Sequence, residues 1–256
     1  MPKPSLVVAA LAACLFFASL ASCSATMPAT GSLERTMEHA VDGQQYNYLL
    51  EVPDAAERPE AGWPILIFLH GAGERGDDLE RVRFHGPPKL VTEVPELGRC
   101  VLAAPQCPAD EWWQISSLRA FVEELLERTD VDPDRVYLTG LSVGGYATWN
   151  LLAAYPDVFA AAVPICGGGQ MGRVFPDFPN GFRLEALLEA KHVPVRAFHG
   201  ELDPIFPPVE STMLVEALQA AGGDAEVTVY AGVEHDSWTE TYANLDLYTW
   251  LFAQSR

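Results

Sequence analysis

Gly140-Leu141-Ser142-Val143-Gly144 constrains this chain more than any other stretch. It fits the pattern of a serine held at the tip of a sharp strand-to-helix turn. The flanks supply the context that the pattern requires: residues 135–139 read as a buried strand and residues 146–154 as a helix. A turn that tight leaves no room for side chains two positions either side of the serine, and Gly140 and Gly144 meet that need. Gly145 adds another small residue where the helix must pack close to the sheet. Free amides in the first helical turn then point toward any negative charge developing beside the serine. A Gly-rich turn with no chemistry fits the same five residues, so the rest of the chain must decide.

From Gln45 onward, hydrophobic runs alternate with segments of helical period, the signature of an α/β fold in which a parallel sheet is covered on both faces. Residues 46–52 read as a first strand, antiparallel and near an edge. Residues 65–69 form an unbroken apolar run, as expected of a strand buried on both faces, and end in His70-Gly71-Ala72-Gly73. Further strands are expected at 101–104, 136–139, 161–165, 195–198 and 226–230. Helices are expected at 116–128, from 184, at 209–221 and at 242–253. A Gly/Pro-rich connection runs over 167–181, and no internal repeat is visible.

A chain of 256 residues with 49% hydrophobic composition can bury one sizeable core. Its formal net charge of -19 opposes binding to nucleic acid or anionic headgroups through a basic surface. The N-terminus is apolar from Leu6 to Leu20 behind Lys3, too short to span a bilayer comfortably and about the length of a signal-peptide core. Leu20-Ala21-Ser22-Cys23 resembles the lipobox of bacterial lipoproteins, whose cysteine is diacylated and becomes the first mature residue. A plain secretory peptide cleaved nearby is the alternative. The expected organisation is therefore a lipoprotein signal peptide over 1–22, a lipidated tether over 23–34 and a catalytic domain over 35–256. The location that follows is exported, in a bacterial cell envelope and lipid-anchored to a membrane through Cys23, or secreted and soluble.

Five cysteines reduce to three once Cys14 and Cys23 are set aside: Cys100, Cys107 and Cys166. Cys100 and Cys107 bracket an extended strand and are held too far apart for a disulfide. Cys107 with Cys166 is open, as is the reading of all three as buried thiols. No spacing points to a metal site, and no cofactor is expected.

Ser142 needs a base, and in a parallel α/β sheet catalytic groups collect at the carboxyl ends of strands. Of six histidines, His39 lies ahead of the core, His192 precedes a strand, and His85 sits in a polar segment. His70 and His199 each occupy a His-Gly turn and are read as shaping it. His235 follows the last strand and precedes the last helix, the expected address of the base. Asp203, just beyond the strand at 195–198, is the best acid to orient it. Glu201 is its rival, and Asp236 a weaker one. Charge developing on a carbonyl oxygen must be met by preorganised donors. The amides of Val143 and Ala72 are best placed.

With these residues in hand, the chain resembles the α/β-hydrolase superfamily over 45–252. Leu69 to Asp77, Ala104-Pro105-Gln106-Cys107-Pro108 and Gly140 to Gly145 look like the phospholipase/carboxylesterase and feruloyl-esterase-like group, including proteins labelled predicted peptidases. That resemblance implies an α/β-hydrolase fold, with a mostly parallel sheet of about eight strands and helices on both faces. It also implies a serine hydrolase cleaving carboxylic esters through an acyl-enzyme. A serine peptidase of prolyl-peptidase-like type on the same triad is the alternative. A non-catalytic binding protein that kept the fold is a third reading. The substrate is expected to be a small-molecule or polymer-borne ester. Trp112, Trp113, Phe206 and Trp238 are candidates for an apolar pocket wall, with Phe175 and Phe178 in the connection that could cover the site. The alternative for such aromatics is packing of loops onto the core.

Overall fold

The computed structural model of the chain describes residues 30–127, 130–169 and 181–256. The expected signal peptide, Cys23, Phe175 and Phe178 lie outside those residues. Eight strands form one sheet: β1 (Gly31–Thr36), β2 (Asn47–Val52), β3 (Trp63–Leu69), β4 (Val101–Gln106), β5 (Val131–Leu141), β6 (Ala161–Ile165), β7 (Val195–Gly200) and β8 (Ala225–Tyr230). Their order is β1-β2-β4-β3-β5-β6-β7-β8. β1 and β2 pair antiparallel, β2 joins β4 antiparallel, and every pairing from β4 through to β8 is parallel.

The period-2 direction of side chains divides the strands between two cores. On β3, Ile65, Ile67 and Leu69 enter one core and Leu66 and Phe68 the other, and β5 splits Val136 and Leu138 from Tyr137 and Leu141 in the same way. Over the first core lie α2 (Ile115–Leu126), α3 (Val143–Ala154), α4 (Leu184–Glu189) and α5 (Val209–Ala220). Over the second lie α1 (Gly86–Leu90), α6 (Trp238–Ala243) and α7 (Leu245–Phe252). α3 is buried on every side except at Ala154, which is why its sequence is apolar all round rather than striped.

β1 was not expected: residues 31–34, read from the sequence as tether, are the first four of its strand. Only Leu33 packs on the core. Its neighbours face solvent, so the strand carries no hydrophobic alternation to read. β1, not β2, is therefore the sheet edge.

Register sets where the loops meet. Leu69 lies opposite Gly140 across the β3–β5 pair, which brings the His70 turn beside Ser142. Gly200 lies opposite Tyr230 across β7–β8, which brings the loops after those strands together at the same end of the sheet.

Candidate active site

Ser142 sits between β5 and α3 with φ 54° and ψ -118°, a left-handed conformation that costs a non-glycine residue of order 1–3 kcal/mol. Three contacts hold it there. Its amide donates to Ile165 O at 2.9 Å and approaches Cys166 Sγ at 3.2 Å, while its carbonyl accepts from Tyr146 N at 3.0 Å. The flanking glycines are steric requirements: a Cβ on Gly140 would stand 2.4 Å from Gly144 O, and one on Gly144 would stand 2.0 Å from Leu69 O.

The expected base and acid are brought to this serine. Ser142 Oγ lies 3.0 Å from His235 Nε2, and His235 Nδ1 lies 2.7 Å from Asp203 Oδ2. The hydroxyl can therefore donate to Nε2 while Nδ1–H donates to the carboxylate. Asp203 Oδ1 accepts from the amides of Ile205 at 2.8 Å and Phe206 at 2.9 Å. Burial alone would push this carboxyl up; hydrogen bonds from His199, His235 and the two amides outweigh it and hold the group below the usual carboxylate range. Glu201 points elsewhere, accepting from Gly232 N, and Asp236 caps its own turn through Thr239.

His199 is a residue the sequence reading undervalued. Wholly buried, it places Nε2 3.0 Å from Phe206 O and 3.3 Å from Asp203 Oδ2, with Nδ1 2.8 Å from Ser211 Oγ. Both neighbours of Nε2 are acceptors, so that nitrogen carries a proton. A second imidazole thus supports the acid. Its only sequence signal is its position four residues ahead of Asp203, in a turn that also shapes the chain.

Ala72 and Val143 line the cleft with Ser142. Each opens a helical turn, where amides lack a partner within the helix. Gln106 fixes the Ala72 turn from behind by donating from Nε2 to Glu74 O and Asp78 O, both at 2.8 Å. His70 fixes it from within: Nδ1 donates to Gly71 O at 2.6 Å and Nε2 accepts from Cys107 N at 3.0 Å.

The cleft is about 340 Å³ in volume, and its lining includes Leu141, Ile205, Phe206 and Trp238. Phe206 packs 5.5 Å and Trp238 5.3 Å from the His235 ring. Trp112 and Trp113, expected in this wall, are not in it. Trp113 is buried in the core against Tyr46 and His70 and donates to His70 O, and Trp112 lies under the Arg75 guanidinium at 4.2 Å. Both pack the loop after β4 onto the body of the protein. A larger groove of about 580 Å³ lies at the sheet edge between Arg35, Asn47, Asp77 and Asp78, away from the serine. Cys100, Cys107 and Cys166 are unbridged and buried. Among the described residues no group of three metal-ligating side chains forms.

A profile described as the dienelactone hydrolase family matches residues 111–246. Among solved structures, one titled a thermostable esterase is 34% identical, with a TM-score of 0.70, over 88% of this chain and 63% of its own. A ferulic acid esterase at 16% identity and TM-score 0.64, over 88% of this chain and 98% of its own, shares the fold. A poly(3-hydroxyoctanoate) depolymerase of Pseudomonas fluorescens is 27% identical over 178 residues, 58% of this chain and 59% of its length. The provisionally named esterase NocK of Nocardia uniformis subsp. tsuyamanensis is 27% identical over 191 residues, 70% of this chain. The chain spans 52% of that relative's length.

Proposed function

The chain belongs to the dienelactone hydrolase family, within the α/β-hydrolase superfamily, and on that premise we propose that it hydrolyses carboxylic esters through a serine acyl-enzyme. Ser142 Oγ passes its proton to His235 Nε2 and attacks the ester carbonyl carbon. The oxyanion that forms is received by the amides of Ala72 and Val143. His235 then protonates the departing alkoxide, leaving an acyl group on Ser142. Water deprotonated by the same imidazole attacks that acyl group and returns the serine. Asp203 keeps Nδ1 protonated and stabilises the imidazolium. The observation carrying this reading is the continuous pair of hydrogen bonds from Ser142 through His235 to Asp203, 3.0 Å and 2.7 Å long.

The esters named on relatives, including polymer-borne ones, support an ester of a small molecule or a polymer as substrate. The sequence around Cys23 supports export and lipid anchoring; among the described residues no helix is long and apolar enough to cross a membrane. Purified protein is expected to hydrolyse p-nitrophenyl acetate and to be labelled at Ser142 by a fluorophosphonate. Unchanged turnover in Ser142→Ala, or labelling that survives His235→Ala at full rate, sinks the mechanism. Peptide amide turnover exceeding that of matched esters would make it a peptidase.

A further inference from the structure

The cleft contains a charged group that this reaction does not use. Glu74 closes the short helical turn that Ala72 opens, and only 6% of the residue is exposed. Its side chain lines the same cleft as Ser142 and His235. A Cβ built on Gly71 would stand 2.8 Å from Leu141 Cδ1, 3.2 Å from Glu74 Oε2 and 3.7 Å from Ser142 Cβ, so carboxylate, Leu141 side chain and nucleophile all gather around the Gly71 backbone.

Among the described residues, nothing hydrogen-bonds this carboxylate. Two imidazoles come nearest: His85 Nε2 at 3.7 Å from Oε1 and His70 Nδ1 at 4.0 Å from Oε2, both beyond hydrogen-bond length. His70 supplies no countercharge, since burial lowers its pKa to about 4 and both its nitrogens are taken by backbone. Neighbouring guanidinium groups are engaged elsewhere, Arg75 on Ala72 O and Glu111 O and Arg81 on Gly73 O. The carboxylate is reached from the open cleft and, among the described residues, from no protein donor, so solvent or a ligand must supply the hydrogen bonds that native interiors supply to an acceptor so nearly enclosed.

The gap between Glu74 and His85 describes what would fill it. Too long for a direct bond and too short to hold an atom in line, it lets one small group beside it, about 2.8 Å from each atom, donate to the carboxylate and accept from the imidazole at once. A hydroxyl does both; an ether or ketone donates nothing, and a carboxylate would be repelled. Trp238 bounds the position, its ring 5.6 Å from His85 on one side and 5.3 Å from His235 on the other.

We propose that Glu74 and His85 form a hydroxyl subsite, so that the preferred substrates are esters carrying a free hydroxyl close to the scissile carbonyl, such as polyol monoesters or hydroxyacyl esters. The proposal rests on ester hydrolysis at Ser142 and specifies its substrate class. A hydrogen bond made in the bound ester and kept in the transition state raises kcat/KM, so the preference is read in that ratio.

The test compares kcat/KM for ethyl butyrate with that for 2-hydroxyethyl butyrate and for ethyl 3-hydroxybutyrate, and adds monoethyl succinate as the anionic ester. The wild-type protein should favour at least one hydroxylated partner by about 10- to 100-fold, the worth of a hydrogen bond to a charged group. Glu74→Leu should bring that ratio close to one. Glu74→Gln should raise monoethyl succinate relative to ethyl butyrate. Ratios taken within one variant cancel any loss of folded protein, and the wild-type ratio needs no variant at all. A wild-type ratio near one for both pairs, or a preference that survives Glu74→Leu, overturns the subsite while leaving Ser142-dependent hydrolysis intact. Ethyl butyrate hydrolysis unchanged by Ser142→Ala would instead remove the reaction, and the subsite with it.

Discussion

Replacing Asp203 by asparagine tests the proposed mechanism through the structure's own hydrogen bonds. Oδ1 of Asp203 receives two backbone amides, from Ile205 and Phe206. An asparagine there must place its carbonyl oxygen under those donors, which puts its NH2 where Oδ2 now stands, 2.7 Å from His235 Nδ1. Nδ1 then accepts instead of donating, the imidazole proton moves to Nε2, and Nε2–H faces Ser142 Oγ at 3.0 Å. The base is lost although no side chain has moved. The same NH2 faces His199 Nε2 at 3.3 Å, so that contact is lost while Nε2–H keeps its bond to Phe206 O at 3.0 Å. The comparable swap in a serine protease lowers kcat by about 10⁴, or about 5 kcal/mol, and a loss of that order is expected here in p-nitrophenyl acetate hydrolysis. Thermal unfolding of the variant verifies that it is folded. A decrease smaller than about tenfold in a folded variant would refute the assignment of Asp203 as the residue that fixes the His235 tautomer.

Two further outcomes follow from burial and close packing. His70, with its pKa lowered to about 4 from 6.5, binds its proton later than the unfolded chain does as pH falls. Between those values unfolding therefore takes up a proton, and stability rises with pH across the window by about 3 kcal/mol from this group; imidazole NMR should find His70 neutral and Nδ1-protonated at pH 5.5, and a titration near 6.5 would contradict it. Gly144→Ala, whose Cβ would meet Leu69 O at 2.0 Å, should cost about 1–3 kcal/mol or more and lower activity, whereas Gly98→Ala, with nothing within 4 Å, should stay within about 0.5 kcal/mol of wild type; equal melting temperatures for the pair would refute the steric account.

The chain revealed those parts of the site that local geometry dictates. Gly140 and Gly144 are glycine because backbone occupies the space a Cβ would need, and such demands leave a mark at fixed sequence spacing. Asp203 and His235 were legible because strand ends in a parallel sheet converge. β1 was not legible, since a strand with one core-facing residue has no period to detect. Trp112 and Trp113 misled for a related reason: both follow a strand end on the catalytic side, and only the packing of Trp113 on Tyr46 and His70 turns that loop inward. The contacts of His199 with Asp203, and of Glu74 with the cleft, depend on distances across turns that no spacing encodes.

Phe206 joins several of these parts in a single residue. Its amide donates to Asp203, its carbonyl faces His199, and its ring packs on both Tyr146 and His235 while forming part of the cleft wall. Reshaping the pocket at this position would therefore disturb the packing of the His235 ring together with the fit of the substrate. Variants selected for new esters should accumulate instead at Ile205, whose exposed side chain lines the cleft while only its backbone amide holds Asp203, which makes neighbouring positions of one wall unequal in their freedom to diverge.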